Sequence, residues 1–294
     1  MEELQRREGL HRAGNPLSGL ADDTPIAREL HAAELALQAM GIASTVVVFG
    51  SARVREPSQA RALFEEATAQ GDQQAIATAA GLHALSAYYD DARCFGAMVA
   101  RYSALQSDPS ARLHICTGGG PGIMEAANRG AFEEGALTIG LAIDLPQEQK
   151  TNPYISPGLC CRFRFFAARK LHFVARAKAL VAFPGGFGTL DEVFEVLTLV
   201  QCHKIDRVPI VLYGSRFWKE LLNLEWLVSM GTIASADLAL IQFADSPHQA
   251  WSQIASFYAL PTLDGSLETG SDTSSPAGKA LSRSGAFPGA NQAS

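Results

Sequence analysis

Three short apolar runs, Thr45 to Phe49, Leu113 to Cys116 and Ala179 to Phe183, each end in a glycine turn. Leu137 to Ile143, Val208 to Tyr213 and Leu238 to Phe243 are further runs of this kind, and segments with apolar residues at helical spacing separate them. A strand that is apolar on both faces has to be covered on both faces. Such strands alternating with helices therefore predict an α/β fold, a Rossmann-like doubly wound parallel sheet with helices on both sides. Ligands of such sheets bind at the carboxyl ends of strands, and all three glycine turns sit at such ends.

The helical segments complete the pattern. Asp23-Thr24-Pro25 is a polar cap followed by proline, and predicts a helix running to about Met40 and stopping near Gly41. From Pro57 to Leu105 the chain is alanine-rich and helical in spacing, and Gly71-Asp72 divides it into two or more helices. Helices are also predicted over Ile123 to Glu134, most of Arg162 to Ala177, Leu190 to His203, Arg216 to Met230 and Pro247 to Tyr258. Pro146 to Gly158 holds three prolines and reads as a loop. The domain plan is a flexible segment over 1–22, one Rossmann-like domain over 23–260 with a helical insertion at about 57–106, and a disordered tail over 261–294. The tail is mostly Ser, Gly, Ala, Pro and Thr, too poor in large apolar residues to offset its ordering entropy.

Composition narrows the class. With 47% hydrophobic and 18% charged residues among 294, a large core is available. A net charge of −6 argues against nonspecific binding to nucleic acid or an anionic membrane, yet leaves room for a local basic pocket. The five cysteines are odd in number and form no CxxC pair, so neither a disulfide framework nor a zinc site is indicated. They read as reduced thiols of a cytoplasmic protein. Met1 to Asn15 lacks the apolar core of a signal peptide, and no apolar run approaches the roughly 20 residues that cross a bilayer.

The segment Pro184-Gly185-Gly186-Phe187-Gly188-Thr189-Leu190-Asp191-Glu192 carries the most chemistry. A glycine-rich turn from strand to helix leaves backbone N–H groups aimed at one point, which suits phosphate. An acidic residue one turn into the helix then lies near whatever that phosphate carries. The spacing Thr189-x-x-Glu192 is also that of a capping box, so a purely structural role stands beside the functional one. Capping does not explain three glycines within four positions, whereas close approach of backbone to a ligand does. No Gly-Lys-Ser/Thr follows, so this is not a Walker A loop.

The earlier turn, Thr117-Gly118-Gly119-Gly120-Pro121-Gly122, begins like a dinucleotide fingerprint, but Ile123 stands where the third glycine belongs. NAD is disfavoured, while phosphate or ribose contact through Gly119 and Gly120 is retained. Glu125 and Arg129, on the helix that follows, are spaced to pair with each other on the surface, and a functional Glu125 is the other reading. In the basic run from Arg162 to Lys178, Arg176 and Lys178 read as a solvated helix face. Arg169 and Lys170 lie among aromatic and small residues. A partly buried cation there wants an anionic partner, and arginine suits a two-pronged grip on phosphate.

Gly118 to Asn128, then Arg169-Lys170, then the PGGxGTxxE segment over 184–192 resemble the Lonely Guy (LOG) family of nucleoside 5′-monophosphate phosphoribohydrolases, which often carry the label "lysine decarboxylase-like". The resemblance spans roughly Thr45 to Tyr258. It implies a Rossmann-like fold, a homodimer with active sites near the interface, and hydrolysis of the N-glycosidic bond of AMP or a cytokinin nucleotide to free base and ribose 5-phosphate. By motif it implies Arg169 and Glu192 as the catalytic pair, with Lys170 at the substrate. Gly185, Gly186, Gly188 and Thr189 would hold the phosphate, Ser51 matches an early Gly-Ser, and Thr198 matches a ligand-contacting threonine. The stretch between Arg53 and Leu113 is longer than the family's usual single helix, and the tail is extra.

The expected mechanism has Glu192 supporting an oxocarbenium-like ribose or activating water, Arg169 orienting the nucleotide, and neither metal nor cofactor. The substrate is a small nucleotide, and neither nucleic acid nor membrane is a partner. Two alternatives remain: a nucleotide sensor or carrier without turnover, and a pyridoxal-phosphate decarboxylase, for which Lys170 is the one well-placed Schiff-base lysine.

Overall fold

The computed structural model describes residues 24–145 and 150–261. Residues 1–22, most of the 261–294 tail and 146–149 of the proline-rich loop, all assigned above, fall outside that range. Seven strands form one parallel sheet in the order β4-β3-β2-β1-β5-β6-β7. They are β1 (Ser44–Phe49), β2 (Leu113–Thr117), β3 (Thr138–Ile143), β4 (Cys160–Phe163), β5 (Ala177–Ala182), β6 (Ile210–Tyr213) and β7 (Ile241–Ala244). The chain starts in the middle, builds outward through β4, then returns to pair β5 with β1 on the other side. The order reverses between β1 and β5, and the crevice at such a switch point is where doubly wound sheets bind ligands.

Helices α1 (Pro25–Ala39), α2 (Pro57–Gln70), α3 (Gln73–Ala84), α4 (Ala87–Ala104), α5 (Ile123–Glu133), α6 (Phe166–Ala175), α7 (Phe187–Gln201), α8 (Ser215–Leu221), α9 (Leu224–Ser229) and α10 (Pro247–Tyr258) surround the sheet. Alternate strand residues feed two separate cores. Val46, Val48, Ile115, Ala179 and Val181 pack with α4, α5 and α10. Val47, Phe49, Cys116, Leu180 and Ala182 pack with α1, α6, α7 and α8. That division is why the central strands read as continuously apolar.

Three expected elements differ. The segment from Arg162 is expected to be mostly helical, but Cys160–Phe163 is an edge strand whose residues alternate exposed and buried, and the helix begins only at Phe166. The helix expected over 216–230 is two, parted where Asn223 leaves the helix and accepts a hydrogen bond from the Trp226 N–H. The last strand begins at Ile241, after a 3₁₀ turn over Ser235–Leu240.

The stretch 57–106 divides into unlike parts. Helix α4 has nine buried residues and crosses α5 with backbones touching: a Cβ on Gly96 would strike the Ala127 carbonyl, and one on Gly130 the Arg93 carbonyl. It is the crossover helix that the fold requires between β1 and β2. Helices α2 and α3 are the extra elements, with Ala60 the sole buried residue of α2 and none in α3.

Candidate active site

The three glycine turns meet at Ser51. Its N–H donates to the Pro184 carbonyl at 3.0 Å, and its carbonyl accepts from Ile123 N–H at 3.2 Å. The turn after β1 is thereby joined to the turns after β5 and β2. Gly122 has φ +74, and a Cβ there would strike the Ser51 carbonyl.

The turn after β5 remains open. Helix α7 begins at Phe187, three residues before the expected Leu190, with Gly186 rather than Thr189 at its N-cap. Thr189 N–H bonds the Gly186 carbonyl, while the N–H groups of Phe187 and Gly188 have no acceptor within the helix. The glycines differ in purpose. A Cβ on Gly185 would collide with Thr189 Oγ1 and come within 3.1 Å of the Ser51 nitrogen, so packing accounts for it. A Cβ on Gly186 or Gly188 would meet nothing within 4 Å, and neither has positive φ. Packing gives no reason for those two, whereas a ligand lying against the backbone does.

The turn after β2 is closed on itself. Gly119 N–H donates to Thr117 Oγ1 at 2.9 Å, and Thr117 donates onward to Asn128 Oδ1 at 2.7 Å. Asn152, from the proline-rich loop, donates its backbone N–H to the Gly119 carbonyl and its side-chain amide to the Gly120 carbonyl and to Asn128 Oδ1. The glycine requirement at Gly119 comes from φ +73 and from Ile155 and Gly140 close by. Sequence reasoning assigned no role to Asn128 or Asn152; Asn128 carried only the signal of an amide soon after a glycine turn, and Asn152 lies 32 positions from Gly120.

Arg169 and Lys170 project from the first turns of α6. Arg169 donates Nε–H to the Leu141 carbonyl at 2.9 Å, lies 5.1 Å from the Phe173 ring centre, and sets its guanidinium against Gly118. A Cβ on Gly118 would come 2.6 Å from Arg169 Nη2. Burial weakens the hold of Arg169 on its proton, and the charge of Glu192 opposes that. Glu192, on α7, is only 5% exposed. Burial pushes its pKa up, and first Lys170 and then Arg169 pull it back. Lys170 Nζ lies 2.6 Å from Glu195, 2.9 Å from Asp191 and 3.5 Å from Glu192. Burial disfavours this ammonium, but its hydrogen bonds to Glu195 and Asp191 outweigh that and raise its pKa.

Ser51, Gly185 and Thr189 pack against one another at the start of α7, whose N-terminal turn includes Gly186 and Gly188, and Arg169, Lys170 and Glu192 form one charge cluster beside the same helix. Thr198 stands off from the turn but shares a groove with the charge cluster. Nine residues beyond Thr189, it lies about 13 Å further along the helix axis. Its hydroxyl donates to the Phe194 carbonyl, and it lines a groove of about 500 Å³ whose walls also hold Phe187, Phe194, Lys170, Asp191 and Glu195. Arg176 is no solvated residue: it pairs with buried Glu34 at 2.7 Å and donates to the Ile42 carbonyl. Nor do Glu125 and Arg129 pair. Glu125 accepts from Tyr89 Oη at 3.0 Å, and Arg129 binds Glu133 at 2.9 Å and lies 3.5 Å from Glu56.

Residues 124–254 match the model of a family described as "possible lysine decarboxylase". The match covers 131 of the 294 residues, and over that span the chain is similar to this family. The matched span takes in Arg169, Lys170, the 184–192 turn and Thr198, and begins after Ser51 and the 118–122 glycines. Among solved structures the chain is similar to the molybdenum cofactor binding protein from the phototrophic bacterium Rippkaea orientalis (20% identity over 73% of this chain and 97% of that one, TM-score 0.45). It is also similar to the molybdenum cofactor carrier protein from Chlamydomonas reinhardtii (20% identity, 74% and 98% covered, TM-score 0.44). No curated protein matches it. Among the described residues of the domain and its surroundings, no helix is long and apolar enough to cross a membrane, and no three His, Cys, Asp or Glu gather as a metal site.

Proposed function

We propose that this protein is a nucleoside 5′-monophosphate phosphoribohydrolase, cleaving the N-glycosidic bond of AMP or a cytokinin riboside monophosphate. One observation carries the reading: a buried carboxylate, Glu192, faces the cations Lys170 and Arg169 of α6 from α7, the helix whose open glycine N-terminus lies at the switch-point crevice. The N–H groups of Phe187 and Gly188, with the helix dipole behind them, hold the 5′-phosphate. That anchor places the ribose near Glu192. The bond from C1′ to the base nitrogen breaks, leaving positive charge on the ribose that the carboxylate stabilises. Water adds its oxygen to C1′ and gives one proton to Glu192, which returns it as the departing base is protonated. Arg169, held by Leu141 and Phe173, orients the nucleotide.

The family description suggests a decarboxylase, whose usual pyridoxal phosphate needs a neutral lysine to form a Schiff base. Lys170 does not fit, because three carboxylates surround its ammonium and raise its pKa. The active unit proposed is a homodimer. Phe165, Phe166, Leu171, Phe187 and Phe194 are exposed on α6, α7 and the residue before α6, and Phe187 is 92% exposed. So much apolar surface beside the Thr198 groove suits a second copy.

The test is incubation of the purified chain with a panel of nucleoside 5′-monophosphates, following free base and ribose 5-phosphate. Base released from AMP and not from adenosine supports the reading. AMP bound without release at any member overturns it in favour of a sensor or carrier.

A further inference from the structure

The ammonium of Lys170 has three N–H donors and three carboxylate neighbours: Glu195 at 2.6 Å, Asp191 at 2.9 Å and Glu192 at 3.5 Å. Its hydrogen bonds run to Glu195 and Asp191, and Glu192 adds a third negative charge close by. Its charge, one cation against three anions, opposes an incoming phosphate. The three acids are also unequal. The Asp191 side chain is 56% exposed and that of Glu195 30%, while that of Glu192 is only 6% exposed. The two outer acids flank Glu192 on α7 and hold the lysine where its charge falls on the buried one.

We propose that Lys170 is a positioning residue for Glu192, not a ligand of the nucleotide: it fixes the Glu192 carboxylate and keeps it ionised. The inference rests on the hydrolase reading for its kinetic consequences, but its geometry does not depend on the reaction. The charged groups that face Glu192 are Lys170 and Arg169 from α6 and Asp191 and Glu195 from its own helix. Burial and the two acids favour the protonated form, and Lys170 is the first of the two cations that oppose them. Without Lys170, Glu192 would take up a proton at a pH where the wild type is still ionised.

The experiment compares K170M and K170R with the full wild-type chain by two readouts. The first is kcat and KM for AMP across pH. K170M should lower kcat about 10- to 100-fold at neutral pH, leave KM within about 3-fold, and move the acidic limb of kcat upward by about one pH unit or more. K170R should restore most of kcat. A KM raised tenfold or more in K170M, with kcat and the limb unmoved, would show that Lys170 grips the nucleotide and would overturn the proposal. The second readout is a carbon-13 titration of the glutamate carboxyls, with Glu192 assigned through E192Q. Its resonance should titrate at higher pH in K170M, and an unchanged midpoint overturns the proposal whether or not the protein hydrolyses AMP. A wild type that releases no base from any nucleotide therefore defeats the hydrolase reading alone. If K170M fails to fold, K170Q takes its place, removing the charge while keeping a polar side chain that can still bond Glu195 and Asp191. The same upward shift supports the proposal, and no change in the Glu192 titration overturns it.

Discussion

The backbone N–H of Ser51 donates to the carbonyl of Pro184, joining the turn after β1 to the turn after β5 across the switch point of the sheet. The bond belongs to the main chain, so it tolerates any residue at 51 except proline. Among the described residues the Ser51 hydroxyl accepts from the Arg53 N–H, at 3.1 Å. S51A should therefore keep its Tm within about 2 °C of wild type, as surface substitutions do. KM for AMP rising several-fold with Tm unchanged would identify the hydroxyl as a contact to the nucleotide. A large fall in Tm would contradict the backbone account of the junction.

Gly188 should separate stability from binding. Alanine at this position meets open space and is the better helix former, so G188A should gain a few tenths to about 1 kcal/mol in urea unfolding. The same methyl stands where the phosphate would rest, and KM for AMP should rise at least about tenfold. A variant both less stable and normal in binding would place the glycine in the fold and not in the cradle.

Gly118 should act through Arg169. G118A forces the guanidinium off its seat, since the new Cβ would lie 2.6 Å from Nη2 and 2.9 Å from Met124 Sδ. Both are ends of flexible side chains, so the fold survives and activity falls. The expected result is a kcat close to that of R169A, with the double variant no worse than either single one. Additive losses would mean that Gly118 has a separate role.

The pair of Arg176 and Glu34 is buried at 2.7 Å, and joins α1 to the junction between α6 and β5. R176M leaves the carboxylate unpaired and should cost about 3 kcal/mol in chemical denaturation, with most of that loss recovered in R176M/E34L. If the double variant is as unstable as R176M, the loss comes from packing of the arginine stem.

Asp91 sits in α4, where burial pushes its carboxyl up to about 6. The folded chain holds this proton more tightly than the unfolded chain, whose reference value is 3.8. The stability it brings is complete below the unfolded value and is lost as pH rises through the folded one. D91N removes the cost of ionisation and should raise stability near pH 7.5 by roughly 1–3 kcal/mol, with the gap closing by about pH 4. A gap that does not change with pH would assign the effect to something other than titration.

The sheet was legible because its central strands are buried on both faces, and a run such as Thr45 to Phe49 has few other places to go. The edge strand Cys160–Phe163 was missed because its exposed Arg162 and neighbouring basic and aromatic residues resemble a helix. Its alternation of exposed and buried residues was the usable signal. The union of Arg169, Lys170 and the 184–192 turn was legible through their resemblance to a family. The reach of Asn152 to the triple-glycine turn was not, because it comes from a loop 30 residues on and only the folded sheet brings the two together. Arg176 was misread for a related reason: its partner lies 142 positions away, and no local pattern reports a distant carboxylate.

Helices α2 and α3 lean chiefly on each other, with one buried residue between them, while α4 is fastened to α5 through Gly96 and Gly130. Between β1 and α4 the architecture therefore fixes two endpoints and leaves the route between them unconstrained. Evolution, or an engineer, can lengthen, trim or replace that detour without touching the joint at Ser51, and the hairpin should open to exchange with solvent long before the sheet behind it lets go.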